Sequence, residues 1–210
     1  MQSFGNVLIF GDSYSTFEGH IPEGYATHYS PTATNTNVNN VEDTWWHQVI
    51  SESGSNLVMN NSWSGSTVCY TGYGGYQPRQ SFVFRAEEFF SNDKREKIDT
   101  VLILGGTNDS WNNSPVGGVQ YSGWTDEDLK ACLPAFCRIL SIIRTSSPET
   151  RIINILNEDI IKKEICDGMK SACHHFGAEC ISVTGLEMTD SHPTKAGMIQ
   201  IKEQLFAKIQ

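Results

Sequence analysis

The sequence predicts an α/β domain built on a parallel sheet of five strands with helices on both faces. Two observations carry this. Five short runs rich in Val, Ile and Leu recur along the chain, and each is continuously apolar, as strands covered on both faces are. Between the later runs lie amphipathic helical patterns, so strand and helix alternate and the sheet is parallel. Right-handed crossovers leave few topologies, and in such sheets ligands bind beyond the carboxyl ends of the strands.

The strands are expected at NVLIF (6–10), NLVMN (56–60), TVLILGG (100–106), RIINIL (151–156) and AECISVTG (178–185). Helices are expected over 43–54, 78–91, 126–148, 158–177 and 194–209. The third places Leu129, Leu133, Phe136, Leu140 and Ile143 near one face, starts on acidic residues and stops at Pro148. The fourth ends at Gly177, a residue suited to a helix C-terminus. Two connections, 16–43 and 110–128, are too long for plain turns, and loops of that length are usually functional or disordered. No repeat or linker divides the chain, so residues 1–210 read as one domain, long enough to bury a core.

Composition narrows the function. The 24 acidic and 15 basic residues give a net charge of −9, and the longest charged block is DKREK (93–97), read as a surface turn. This balance argues against a nucleic-acid partner. No apolar stretch approaches membrane-spanning length. The first strand begins within a few residues of the start, which leaves no room for a signal peptide. A cytoplasmic location is expected, or a periplasmic or secreted one if a leader has been removed. Cys69, Cys132, Cys137, Cys166, Cys173 and Cys180 are scattered without a CxxC pair, so no disulfide framework and no metal site is expected. His174 and His175, beside Cys173, fit a helix C-terminus better than zinc.

The residues just past the strands share one chemistry. Gly11-Asp12-Ser13 follows the first run, NSWSGS with Gly65 the second, and GGTNDS with Asn108 and Asp109 the third. His192, followed by Pro193, comes after the fifth. A serine hydroxyl becomes a nucleophile when a base takes its proton, and histidine titrates in the useful range. The backbone N–H groups of Ser13 and Gly65 and the amide of Asn108 are candidate donors to the oxyanion that attack on an ester produces. Asp12 reads as a turn carboxylate accepting backbone N–H bonds, and Asp109 as a loop-fixing residue. Taken alone, GDS fits Ser13 as a turn or cap residue better than as a nucleophile, and the other three blocks reverse that balance.

These four blocks, GDS, NSWSG, GTND and SHP, resemble those of the GDSL/SGNH esterase–lipase family, in the family's order and across nearly the whole chain. The resemblance implies a three-layer α/β/α sandwich of flavodoxin-like type with Ser13 as nucleophile. It also implies oxyanion donors from Ser13, Gly65 and Asn108, His192 as base, and no cofactor. The family's usual aspartate stands three residues before the histidine, where this chain has Thr189. Three arrangements are open: the Asp190 carboxylate reaches His192, Glu187 does so, or a backbone carbonyl orients the ring. Asp190 is the first expectation.

Aromatic residues crowd the same strand ends. Trp63 and Trp111 are expected to touch substrate, and Trp46 to sit in the core. The function expected is a serine esterase that removes a short acyl group, such as acetyl, from a saccharide or other polar alcohol. The alternative is a carbohydrate-binding module on the same fold with little or no turnover. Flavin binding is disfavoured, because GDSYST puts an acid where a phosphate would sit.

Overall fold

A computed structural model describes residues 3–209. All five runs form strands: β1 (Asn6–Gly11), β2 (Asn56–Ser62), β3 (Thr100–Leu104), β4 (Arg151–Asn157) and β5 (Glu179–Val183). They pair in parallel in the order β2-β1-β3-β4-β5. This is the flavodoxin-like order, in which the chain reverses direction across the sheet at β1 and leaves a crevice there.

Alternate β1 side chains enter different cores. Val7 and Ile9 pack with α1 (Trp45–Ser53) and the closing helix α6 (Lys195–Lys208). Leu8 and Phe10 pack with α2 (Phe82–Phe90), α4 (Cys132–Ser146) and α5 (Lys163–His175). The sheet is thus covered on both faces, which is why its strands are continuously apolar. The predicted apolar face is buried: Leu133, Phe136, Leu140 and Ile143 on α4, and Leu129 on the 3₁₀ turn before it, are all within 5% exposure.

The helices begin later than the sequence suggested. Ser81 caps α2 through Phe84 N–H, leaving Pro78–Gln80 as a separate 3₁₀ turn. Asp128 takes the N–H and hydroxyl of Thr125, closing a turn before α4, which starts at Cys132 with Pro134 in its first turn. A first-turn N–H has no helical partner to lose, so the proline is tolerated there. One short helix, α3 (Thr107–Trp111), starts inside GTND, where no hydrophobic period marks it.

The two long connections differ in kind. Residues 16–43 bury Phe17, Tyr29 and Val38 in the core under α1 and α6. Residues 110–128 stay mostly at the surface. All six cysteines are free thiols, and five are buried. No described helix is long and apolar enough to cross a membrane.

Candidate active site

The nucleophile candidate sits on a tight turn. Asp12 follows β1 and accepts the N–H of Tyr14 at 3.1 Å, capping a one-turn 3₁₀ helix that starts at Ser13. Asp12 therefore has the turn-forming role expected of it. Burial pushes its carboxyl up to about 7, and one of its oxygens has no hydrogen-bond partner among the described residues. The Ser13 hydroxyl meets His192 Nε2 at 3.0 Å.

His192 is carried by a small hairpin, in which Met188–Thr189 pairs with His192–Pro193. The linking residues Asp190 and Ser191 have φ of 47° and 65°, the left-handed pair found in primed hairpin turns. That turn aims the Asp190 carbonyl at the ring, and His192 Nδ1 donates to it at 3.0 Å. A carbonyl can only accept, so Nδ1 carries the proton and the Nε2 lone pair faces Ser13. The expected Asp190 carboxylate is thus replaced by the same residue's backbone, because a left-handed turn points carbonyl and side chain differently. Glu187 is engaged elsewhere, accepting the hydroxyl of Thr194 at 2.6 Å near the start of α6. Burial pushes His192 below the ordinary histidine value; the Asp190 carbonyl and charge oppose that shift.

The oxyanion candidates stand on neighbouring strand ends. Trp63 N–H donates to Gly11 O at 3.1 Å, tying the β2 end to the β1 end. Gly65 follows with φ of 80°; a Cβ there would meet open space, so conformation demands the glycine. Its N–H and that of Ser13 have no acceptor among the described residues. Asn108, on α3, donates one amide N–H to Ser66 O at 3.0 Å and accepts the Tyr73 hydroxyl at 3.2 Å. The second amide N–H is left over. Asp109, beside it, accepts Val68 N–H at 2.8 Å and fixes the loop that follows Gly65.

Two contributors escaped the sequence reading. Arg85, on α2, is fully buried and donates to Asn61 O, Gly11 O, Ser66 Oγ and Gln80 O. It clamps the ends of β1 and β2 and the loop bearing Gly65. Burial lowers its guanidinium to about 9, still charged at neutral pH. His28, from the first long connection, stacks on His192 with centroids 3.6 Å apart and planes at 10°. Neither has a sequence signature: an arginine on an amphipathic helix normally reads as surface, and His28 lies in a polar loop.

The two tryptophans diverge. Trp111 is 36% exposed and stands edge-on to His192 at 6.2 Å. Trp63 lies against Tyr25 of the first long connection, with ring centroids 4.1 Å apart and planes tilted by 32°.

The site is thus a serine–imidazole pair at the carboxyl edge of a flavodoxin-ordered α/β sheet. The family is given by comparison: the model for GDSL-like lipase/acylhydrolase matches residues 5–209, and the chain belongs to that family. Its fold is similar to that of a candidate GDSL-like lipase from Bacteroides ovatus, 37% identical over 98% of both chains with a TM-score of 0.90. A second candidate GDSL-like lipase, from Bacteroides uniformis, is 39% identical over 98% of this chain and 95% of its own, also at TM-score 0.90. A carbohydrate esterase described as having divergent catalytic and non-catalytic binding functions is 13% identical over 99% of this chain and 68% of its own. With a TM-score of 0.65, it shares the fold alone. No curated protein matches the sequence.

Proposed function

We propose that this family member is a serine esterase that transfers a short acyl group, such as acetyl, from a saccharide or other polar alcohol to water. The observation that carries this reading is the 3.0 Å contact between Ser13 Oγ and the unprotonated Nε2 of His192. His192 takes the hydroxyl proton as Ser13 attacks the ester carbonyl. The N–H groups of Ser13 and Gly65 and the spare amide N–H of Asn108 receive the oxyanion. His192 then returns its proton to the departing alcohol, leaving an acyl-serine that water hydrolyses by the same steps. The exposed rings of Trp111, edge-on to His192, and of Tyr73, bonded to Asn108, favour a sugar as the alcohol.

A second reading, a binding module with weak or no turnover, draws on His192 Nδ1 meeting a carbonyl where a carboxylate is usual. Hydrolysis of p-nitrophenyl acetate from pH 5 to 9 by the native protein and by Ser13→Ala separates the two. The esterase reading expects a loss of ~1,000-fold or more in Ser13→Ala. The base acts unprotonated, so the rate falls as pH drops through its pKa. Because burial holds His192 below the ordinary histidine value, the rate should hold at neutral and alkaline pH and decline only on the acid side. Equal rates in both proteins, with no labelling of Ser13 by a fluorophosphonate, would leave the binding module as the reading to pursue.

A further inference from the structure

We propose that His28 is a positioning residue for His192, its stacked ring supplying the orientation that a carboxylate at Nδ1 would otherwise give. This rests on the esterase reading of the same site.

A carboxylate behind a catalytic histidine fixes its tautomer, holds the ring in place and stabilises the imidazolium. The Asp190 carbonyl does the first of these. A single bond at Nδ1 leaves the ring free to swing about it, and a flat partner 3.6 Å from its face blocks that swing. His28 is anchored to the nucleophile turn itself. Its N–H donates to Thr16 Oγ1 at 2.9 Å, and that hydroxyl donates to Ser13 O at 3.0 Å. The next residue, Tyr29, donates its hydroxyl to Pro193 O at 2.9 Å and stands edge-on to the His28 ring at 4.6 Å. The pair His28-Tyr29 therefore grips both the ring of His192 and the backbone just beyond it.

The groups around His192 suit this role. Ser13 and Tyr14 face it from the β1 turn, His28 and Tyr29 from the long connection, Trp111 from α3, and Asp190 from its own hairpin. Burial and the neighbouring imidazole push His28 down to about 4, so it is neutral across the working range. An imidazolium forming on His192 then faces an uncharged aromatic surface and no like charge. The same ring keeps water off His192, in keeping with the lowered pKa of that base.

The test compares native protein with His28→Ala, His28→Gln and His28→Phe, each checked for an unchanged melting midpoint. Two readouts are taken: kcat and KM for p-nitrophenyl acetate from pH 5 to 8, and titration of the His192 ring by NMR. In the variants lacking an aromatic ring, kcat is expected to fall about tenfold with KM changed less than ~2-fold. The acid limb and the His192 titration should both move up toward the ordinary histidine value. His28→Phe restores the flat cover and should recover both. A folded Ala or Gln variant with native kcat and native His192 titration would overturn the proposal, as would a Phe variant that behaves like Ala. The NMR titration needs no turnover. Absence of Ser13-dependent hydrolysis in the native protein would sink the esterase reading, while the titration still decides whether His28 sets the state of His192.

Discussion

Ser13, Gly65 and Asn108 stand on or beside three adjacent strand ends, whereas His192 stands on a two-residue ladder outside the sheet. The first side is fixed from beneath: Arg85 bonds the backbone of Gly11 and Asn61 and the Ser66 hydroxyl, and Asp109 bonds the Val68 amide. The second side is fixed from around. Tyr14 donates to Ser191 O at 2.8 Å, Tyr29 to Pro193 O, and His28 covers the ring. Proposed oxyanion donors must not move as charge develops, and buried strand ends in a low-dielectric setting serve that need. A base that receives and returns a proton is instead held by contacts at its rim.

If the two sides differ in this way, their variants should separate cleanly. After loss of the nucleophile itself, the largest effect is expected at Asn108. Asn108→Ala removes a side-chain donor whose orientation Ser66 and Tyr73 have set in advance. We expect kcat for p-nitrophenyl acetate to drop ~100- to 1,000-fold, about 3–4 kcal/mol of transition-state stabilisation, with KM little changed. A rise in KM with kcat unchanged would mean that the amide binds ground state and transition state equally, and the oxyanion assignment would be lost.

Arg85→Met should act on stability more than on chemistry. It leaves the carbonyls of Gly11, Asn61 and Gln80 and the Ser66 hydroxyl short of a donor in a buried setting. A buried polar group without its partner costs ~1–3 kcal/mol, partly relieved because a costly buried charge is removed as well. A net loss of about 3 kcal/mol lowers the melting midpoint by roughly 6–12 °C for a domain of this size. Tyr14→Phe, which removes one bond from the base side, should shift it far less. Calorimetry of the two variants decides the matter, and equal shifts would erase the distinction between a side held from beneath and one held at its rim.

The same division explains what could be read from the sequence. The five strands, their helical cover and the strand-end places of Ser13, Gly65 and Asn108 were legible, because period and composition mark buried strands and a parallel sheet places their ends together; the flavodoxin-like type and the role of His192 came with the family resemblance. Helix starts were read too early, since Ser81 and the Thr125–Asp128 turn break the chain where hydrophobic pattern alone runs on. Arg85 and His28 were invisible, because their roles depend on partners far away in sequence: Gly11 lies 74 residues from Arg85, and His192 lies 164 from His28. The carbonyl in place of a carboxylate was one of three arrangements left open. It turns on two positive φ values that Asp and Ser only weakly advertise.

Asp190 offers the smallest and most discriminating effect. Its carbonyl meets the ring and its side chain does not, so Asp190→Asn should keep kcat within about threefold, as asparagine also tolerates a left-handed φ. Asp190→Ala keeps the carbonyl but strains the turn, and should lower stability by about 1–2 kcal/mol. The charge has a separate, predictable consequence. The carboxylate favours the protonated ring, so removing it lowers the His192 pKa further and moves the acid limb of the rate profile to lower pH. The Asn variant should therefore be slightly more active than the native protein on the acid side and equal to it above pH 7. A loss of ~100-fold or more in Asp190→Asn would mean that the carboxylate, and not the carbonyl, partners Nδ1 during turnover. The base side would then be built as the sequence first suggested.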